Sequence, residues 1–185
     1  ESDSQGAVRV GRPDAPVVRD PDSFKDAHVL ISECTYGGRQ HPPIAEVPNL
    51  LAKIAHDTAA RGGWLLVPAF ALGRTQALVE ILHLLRDDHR LPRTLPIFVD
   101  SPLASRLTEV FRHARAMWDA EAKELTRPFD FTDLHYVANP DESRQLNSRP
   151  GPGVIIASSG MCEGGRILHH LKHHIRDRKN TILLH

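Results

Sequence analysis

Short apolar runs alternate with longer segments of helical periodicity along most of this chain. Five runs rich in Val, Ile, Leu or Phe have the length of buried strands, and they cover residues 28–33, 64–70, 96–100, 153–157 and 181–185. Between them, apolar side chains recur every three or four positions, which predicts helices over residues 46–61, 75–86, 103–118 and 166–175. This succession predicts an α/β fold, in which helices cover both faces of a mostly parallel sheet.

Prolines and glycines mark the boundaries of this pattern. Three prolines (Pro13, Pro16 and Pro21) prevent a helix in the polar first 26 residues, which we interpret as an extended arm before a domain of residues 27–185. Gly62 and Gly63 are predicted to end the first helix. Asn139 followed by Pro140 is typical of a helix N-cap and first position, so a further helix is expected there.

The loops after the predicted strands contain the candidate chemistry, because ligands of open α/β sheets bind beyond the carboxyl ends of the strands. Small residues are combined with hydroxyls and arginines in segments 33–41, 68–76, 100–105 and 158–166. Small residues let backbone amides approach an anion closely. We therefore predict an RNA- or phosphate-binding edge formed by Arg39, His41, Arg74, Ser101, Ser158, Ser159, Gly160 and Arg166.

Two of these arginines occupy an electrostatically unfavourable position. Arg74 and Arg166 each begin a predicted helix, where the helix dipole disfavours a cation. A bound anion would remove that conflict, which favours phosphate binding. Simple turn chemistry is the alternative for each loop, and Asp100 or Ser101 could serve only to cap the helix that follows.

Glu33 and a group of histidines are the remaining candidates. Glu33 ends a predicted apolar strand, so it either forms a structural ion pair with an arginine or orients a catalytic histidine. His169, His170, His173 and His174 form pairs one helical turn apart, but they lack the His-Glu-x-x-His pattern and a nearby acidic cluster. We interpret them as a solvated helix face.

Composition excludes some classes of protein. The formal net charge of the 185 residues is zero, so only a local basic surface could attract a polyanion. Neither a signal peptide nor an apolar run long enough for a membrane helix is found. Cys34 and Cys162 form no Cys-x-x-Cys pair, which argues against a disulfide framework or a structural zinc site. A cytoplasmic protein is expected.

Taken in order, these motifs resemble the β-CASP domain of metallo-β-lactamase-fold nucleases. Residues 33–37 resemble the family's acidic motif A, and segments 68–76, 100–104 and 158–166 match in order and spacing. Residues 11–21 resemble the segment that leads from the lactamase fold into this domain, which makes the first 26 residues a linker. The resemblance covers the chain from about Gly11 onward and favours the RNA-processing branch, which includes the nuclease subunit of the cleavage and polyadenylation factor.

The resemblance implies a hydrolase that cuts single-stranded RNA, or DNA less favourably, at two zinc ions between this domain and a metallo-β-lactamase domain of the same longer chain. It gives Glu33 the role of the motif A acid, in contact with a histidine rather than with zinc. The family's His-x-His-x-Asp-His motif is absent, and Arg9 occupies the position of a metal-bridging aspartate. We therefore expect this chain alone to bind no zinc and to be inactive.

Two alternatives remain open at this point. Arg9 is compatible with a non-catalytic paralogue that only holds RNA or DNA. A small-molecule phosphate enzyme could also use such a sheet, although neither GxGxxG nor GxxxxGK[ST] occurs. A homodimer is a further partner that the sequence leaves open.

Overall fold

A five-stranded parallel sheet forms the centre of the molecule. The computed structural model describes residues 17–20, 28–29, 31–32, 34–35, 37–39, 43–92, 94–124 and 127–184. The strands are β1 (Trp64–Pro68), β2 (Ile97–Asp100), β3 (Leu134–Tyr136), β4 (Gly153–Ala157) and β5 (Thr181–Ile182). Their order is β3-β2-β4-β1-β5, and every pairing is parallel, which confirms the predicted fold class.

Helices connect successive strands, as the periodicity predicts. They are α1 (Val47–Ala60), α2 (Arg74–Asp87), α3 (Pro102–His113), α4 (Ala120–Glu124), α5 (Pro140–Ser148) and α6 (Arg166–His174). Asn139 caps α5, since its side-chain oxygen accepts from the backbone amides of Asp141 and Glu142. Gly62 ends α1 with φ +70, a conformation that glycine adopts without a Cβ penalty. No helix in these ranges is long and apolar enough to cross a membrane.

Two hydrophobic cores lie on opposite faces of the sheet, because successive strand residues point to opposite sides. Leu65 and Val67 of β1 face one core together with apolar residues of α1, α2, α3 and α4. Leu66 of β1 and Ile155 of β4 face the other core, which α5 and α6 cover with Leu146 and Ile167. The sheet is thus covered on both faces.

The prediction of a buried strand over residues 28–33 is wrong for the four residues described there. Val29 and Ile31 expose 79% and 93% of their surface, and residues 28, 29, 31 and 32 belong to no strand. Apolar residues indicate that a segment can be buried, but a strand also needs a neighbour whose backbone it pairs with. Within the described residues, β3 and β5 form the edges of the sheet instead.

Three element boundaries also differ from the sequence predictions. The helix expected over residues 103–118 ends at His113, since Trp118 must leave the helix to pair with Val18 in an antiparallel bridge. The unassigned stretch after it contains β3, a short edge strand whose half-exposed residues carry little hydrophobic pattern. The last strand covers only Thr181–Ile182, and His185 lies outside the described residues. Of the predicted arm, residues 17–20 are described, and Val17 is buried.

Candidate functional site

A groove of about 500 Å³ lies at the carboxyl ends of β1, β2 and β4. β4 lies between the other two strands in the sheet. The chain leaves β1 and β2 toward α2 and α3 on one face, whereas it leaves β4 toward α6 on the other. Connections that diverge in this way open a crevice, and this is the position at which open α/β sheets bind ligands.

Three of the four predicted loops line this groove. The lining residues are Phe70, Ala71, Asp100, Ser101, Pro102, Leu103, Arg106, Ser158, Ser159, Gly165 and Arg166. The structure therefore brings four of the predicted site residues together, namely Ser101, Ser158, Ser159 and Arg166.

A buried ionic network forms the floor of the groove around Asp100, the last residue of β2. Asp100 is fully buried and accepts hydrogen bonds from Ser143 Oγ at 2.5 Å, His170 Nε2 at 2.7 Å and the Arg166 guanidinium. Burial alone would raise the pKa of Asp100, but the hydrogen bonds from His170, Ser143 and Arg166 outweigh it and hold that pKa below its ordinary value. Asp100 is therefore held as a carboxylate.

This network changes the interpretation of Arg166. Its side chain is only 18% exposed and forms an ion pair with Asp100, so most of its charge is compensated by the protein itself. The conflict between this arginine and the helix dipole is real, but the anion that relieves it is a protein carboxylate. A direct phosphate contact by Arg166 is consequently not needed to explain its position.

Two of the three serines that line the groove are hydrogen-bonded to each other. Ser101 Oγ lies 2.8 Å from Ser158 Oγ, so one donates to the other. Ser101 Oγ also accepts from the backbone amide of Ala104 at 3.2 Å, which makes Ser101 the N-cap of α3. The capping role proposed as the alternative for Ser101 is present, and its hydroxyl faces the groove as well.

Glycines let the Ser158 loop pack tightly. A Cβ on Gly165 would lie 2.2 Å from the carbonyl oxygen of Ser158, and its φ of +74 also favours glycine. A Cβ on Gly160 would lie 2.8 Å from the ring of Phe70. Gly160 thus supports an aromatic ring at the rim, and it is absent from the residues that line the groove.

The other predicted residues lie elsewhere. Arg74 is exposed at the first position of α2, outside the lining of the groove, and Gln76 rather than a ligand closes that helix start with a 2.7 Å hydrogen bond to the Gly73 amide. Arg39 is exposed and does not line the groove. Glu33 and His41 lie outside the described residues, so their roles stay predictions.

The prediction of a solvated histidine face on α6 is wrong for two of its four histidines. His169 and His173 are exposed, whereas His170 and His174 are buried. Both ring nitrogens of His170 are within hydrogen-bond distance of side-chain oxygens, Nε2 of Asp100 and Nδ1 of Asn147 at 2.8 Å. The sequence signal was helical spacing: Ile167, His170 and His174 lie on one stripe of the helix, which packs on the sheet.

Phe70 and Arg106 line the groove but are not among the eight predicted site residues. Phe70 ends the apolar run of β1 and was taken as a buried strand residue, but it is 52% exposed at the rim. Arg106 lies in the second turn of α3 and is exposed on the groove wall. Its position three and four residues after Leu103 and Pro102, which also line the groove, was the available signal, since residues at these spacings share a side of a helix.

The described lining of the groove contains hydroxyls and arginines but no cluster of metal ligands. Across the described ranges, no three His, Cys, Asp or Glu side chains converge in a way that could hold a metal ion. The i,i+4 pair His170 and His174 cannot chelate, because the His170 nitrogens are engaged by Asp100 and Asn147. Zinc therefore does not fit the described part of this chain, and we derive no catalytic step through it.

Comparison with known proteins identifies a matching family model and several relatives. A Beta-Casp domain family model matches residues 75–185. Ribonuclease TTHA0252 of Thermus thermophilus is 36% identical over 178 residues, which are 94% of this chain and 41% of that protein. Endoribonuclease YSH1 of Candida glabrata is 34% identical over 84% of this chain and 21% of that protein. Transcription termination factor FttA of Pyrococcus abyssi is 32% identical over 86% of this chain and 25% of that protein. The chain thus spans less than half the length of these relatives.

Proposed function

This chain belongs to the Beta-Casp domain family, and from that premise we propose that it forms one wall of the single-stranded RNA path in a ribonuclease. The relatives named above include a ribonuclease and an endoribonuclease, and the chain aligns with each of them over most of its own length. RNA is accordingly the substrate class that we assign to the longer protein. The chain's own contribution is to bind and position the strand.

The observation that carries this proposal is the groove at the carboxyl ends of β1, β2 and β4. It is lined by the hydrogen-bonded Ser101 and Ser158, by the exposed Arg106 and by the exposed ring of Phe70. Hydroxyls and arginines contact RNA phosphates and sugars, and aromatic rings stack on unpaired bases. An open groove of about 500 Å³ suits a single strand, whose bases are free to turn outward.

Metal dependence is part of the proposal for the longer protein. We propose that a metallo-β-lactamase domain of the longer protein holds two zinc ions, whose chemistry when bound would be to activate water and to polarise the phosphate. Residues of the described part of this chain do not hold such ions. Their task in the reaction is to bind the strand, to orient it and to keep the groove open.

Hydrolysis of labelled RNA by the natural-length protein tests the proposal. We expect it to cut a single-stranded 20-nucleotide RNA, to leave the matching duplex intact, and to lose activity with a chelator that zinc then reverses. Binding without cleavage under all metal conditions would favour a non-catalytic RNA-binding protein instead. Neither binding nor cleavage of single-stranded RNA would contradict the proposed function.

A further inference from the structure

Phe70 is exposed in a way that hydrophobic burial does not explain. It follows directly on the five buried residues of β1 and on the buried Ala69, yet it leaves 52% of its surface to solvent. Because this much aromatic surface stays exposed, the protein lacks the folding free energy that burial of the ring would contribute. The ring lines the groove, so its exposed part faces the space in which RNA is proposed to lie.

The ring is also held in place before any ligand arrives. Gly160 has no side chain, and a Cβ there would lie 2.8 and 2.9 Å from two ring carbons, so part of the ring packs closely on this backbone. The backbone carbonyl of Phe70 accepts from Thr75 Oγ1 at 2.8 Å and from the Thr75 amide at 3.3 Å. Binding to a ring that is already ordered loses little conformational entropy.

Arg106 provides the charge that Arg166 does not. Both line the groove, but Arg166 is paired with Asp100, whereas no ion pair joins Arg106 to any residue in the described ranges. Arg106 is exposed on the wall formed by α3, the helix whose N-cap is Ser101. An arginine in this setting is available for a phosphate from outside the protein.

We propose that Phe70 and Arg106 form one nucleotide subsite of the groove, in which an RNA base stacks on the Phe70 ring and an adjoining phosphate contacts Arg106. This inference rests on the proposed function, because it assumes that single-stranded RNA occupies the groove. Every base has a π face, so this subsite holds the strand without reading its sequence. Arg166 contributes indirectly, by holding the floor of the groove through Asp100.

A protein surface is the competing explanation for the exposed ring. Leu72, Leu103 and Met161 are exposed apolar residues too, and Leu103 lines the groove. An apolar protein contact would bury these side chains but would leave the Arg106 charge and the serine hydroxyls without partners. The lining of the groove therefore favours RNA. The two explanations make different demands on residue 70, because base stacking requires an aromatic π face, whereas a protein contact requires only an apolar side chain.

The test compares RNA binding by four forms of the natural-length protein, with EDTA present so that the strand stays intact. The ligands are a fluorescent 12-nucleotide oligoadenylate and an abasic oligomer of the same length and charge. Phe70→Leu keeps an apolar side chain against Gly160, and Phe70→Trp keeps the π face. Leu84→Ala removes an exposed leucine of α2 that is not among the lining residues, and it serves as the control.

We expect Phe70→Leu to weaken oligoadenylate binding about tenfold and abasic binding less than twofold, since stacking on one base contributes about 1–3 kcal/mol. Phe70→Trp should bind oligoadenylate as well as the parent protein does, and Leu84→Ala should change nothing. Equal losses on both ligands, or no loss, would overturn the stacking role. Parent protein that binds neither ligand would contradict the proposed function itself and this subsite with it.

Arg106 is tested by salt dependence. Arg106→Gln should lower the slope of log affinity against log salt by about 0.7 for both ligands, the value for one phosphate contact on a single strand. Arg178→Gln is the matched control, because Arg178 is an exposed arginine in the turn before β5, at the amino edge of the sheet. A slope that Arg106→Gln leaves unchanged would remove Arg106 from the subsite.

Discussion

Helices α2 and α6 both begin with a glycine at positive φ followed by an arginine, Gly73-Arg74 with φ +77 and Gly165-Arg166 with φ +74. At α6, Asp100 of the neighbouring strand β2 receives the guanidinium in a buried ion pair. At α2, Gln76 closes the helix start and Arg74 remains exposed. The same local sequence thus gives a buried, ion-paired arginine or an exposed one, depending on whether the neighbouring strand of the sheet presents a carboxylate.

The buried carboxylates of these two regions show the same contrast. Asp100 receives three side-chain hydrogen bonds, and its pKa is lowered. Glu80, in the middle of α2, is also buried, but no described side chain donates to either of its oxygens. Burial raises the pKa of Glu80 to about 7. One buried acid is stabilised as an anion and the other is favoured as a neutral group.

Removing Arg166 gives the largest expected effect on this comparison. We expect Arg166→Met to lower the free energy of unfolding by about 3 kcal/mol, because it leaves Asp100 buried without its cation. Arg74→Met, the matched control, should change it by less than about 0.5 kcal/mol, as is usual for exposed positions. Urea denaturation of both variants measures this difference, and equal losses would contradict the structural role of Arg166.

The contrast between the buried carboxyls of Asp100 and Glu80 is tested by the pH dependence of stability. The Glu80 carboxyl has a pKa of 4.5 in the unfolded state and of about 7 in the folded state. The stability that the protonated carboxyl gives the folded protein is therefore fully present below pH 4.5, and it is lost as the pH rises through 7. Glu80→Gln cannot ionise, so it should be more stable than the parent at pH 8 by on the order of 2 kcal/mol.

Thermal or urea unfolding at pH 5 and pH 8 makes this measurement, with the exposed Glu163→Gln as the control. Because His83, whose pKa is lowered by burial, lies beside Glu80, the comparison is repeated in a His83→Gln background. A Glu80→Gln variant with the same pH dependence as the parent would show that Glu80 ionises normally in the folded protein.

The smallest expected effect is on the salt dependence of RNA affinity, which compares Arg74 and Arg166 as phosphate contacts. Arg74→Gln should lower the salt slope for single-stranded RNA by about 0.7 and weaken binding several-fold, because we expect this exposed arginine to contact a phosphate beyond the groove. Arg166→Gln, measured at a temperature where circular dichroism shows it folded, should leave the slope unchanged. A lower slope for Arg166→Gln than for Arg74→Gln would reverse the assignment.

Sequence reasoning predicted the regular parts of the fold well, because β1, β2 and β4 are uninterrupted apolar runs bounded by turns. It failed at β3, an edge strand with a weak pattern, and at residues 28–33, where apolar character did not imply burial. At the candidate site, three of the four loops that it singled out line one groove, since the carboxyl ends of parallel strands lie at the same end of the sheet.

Pairing across the fold was beyond the sequence. The buried network forms only when β2, α5 and α6 pack together and bring in Asp100, Ser143, Arg166 and His170. The sequence alone therefore led to the prediction that Arg166 contacts phosphate and that His170 is solvated. Phe70 was assigned to the strand because its type fits a buried run, and only the packing of Gly160 against its ring shows where it points.

Photocrosslinking tests most directly whether the groove at the carboxyl edge of the sheet is the RNA surface. A single-stranded RNA containing 4-thiouridine would be irradiated with the natural-length protein in EDTA, and the crosslinked peptides would be identified by mass spectrometry. We predict crosslinks within residues 68–76, 100–106 and 158–166. Crosslinks concentrated in residues 61–63, 149–152 and 175–180, the loops at the opposite edge, would contradict the account.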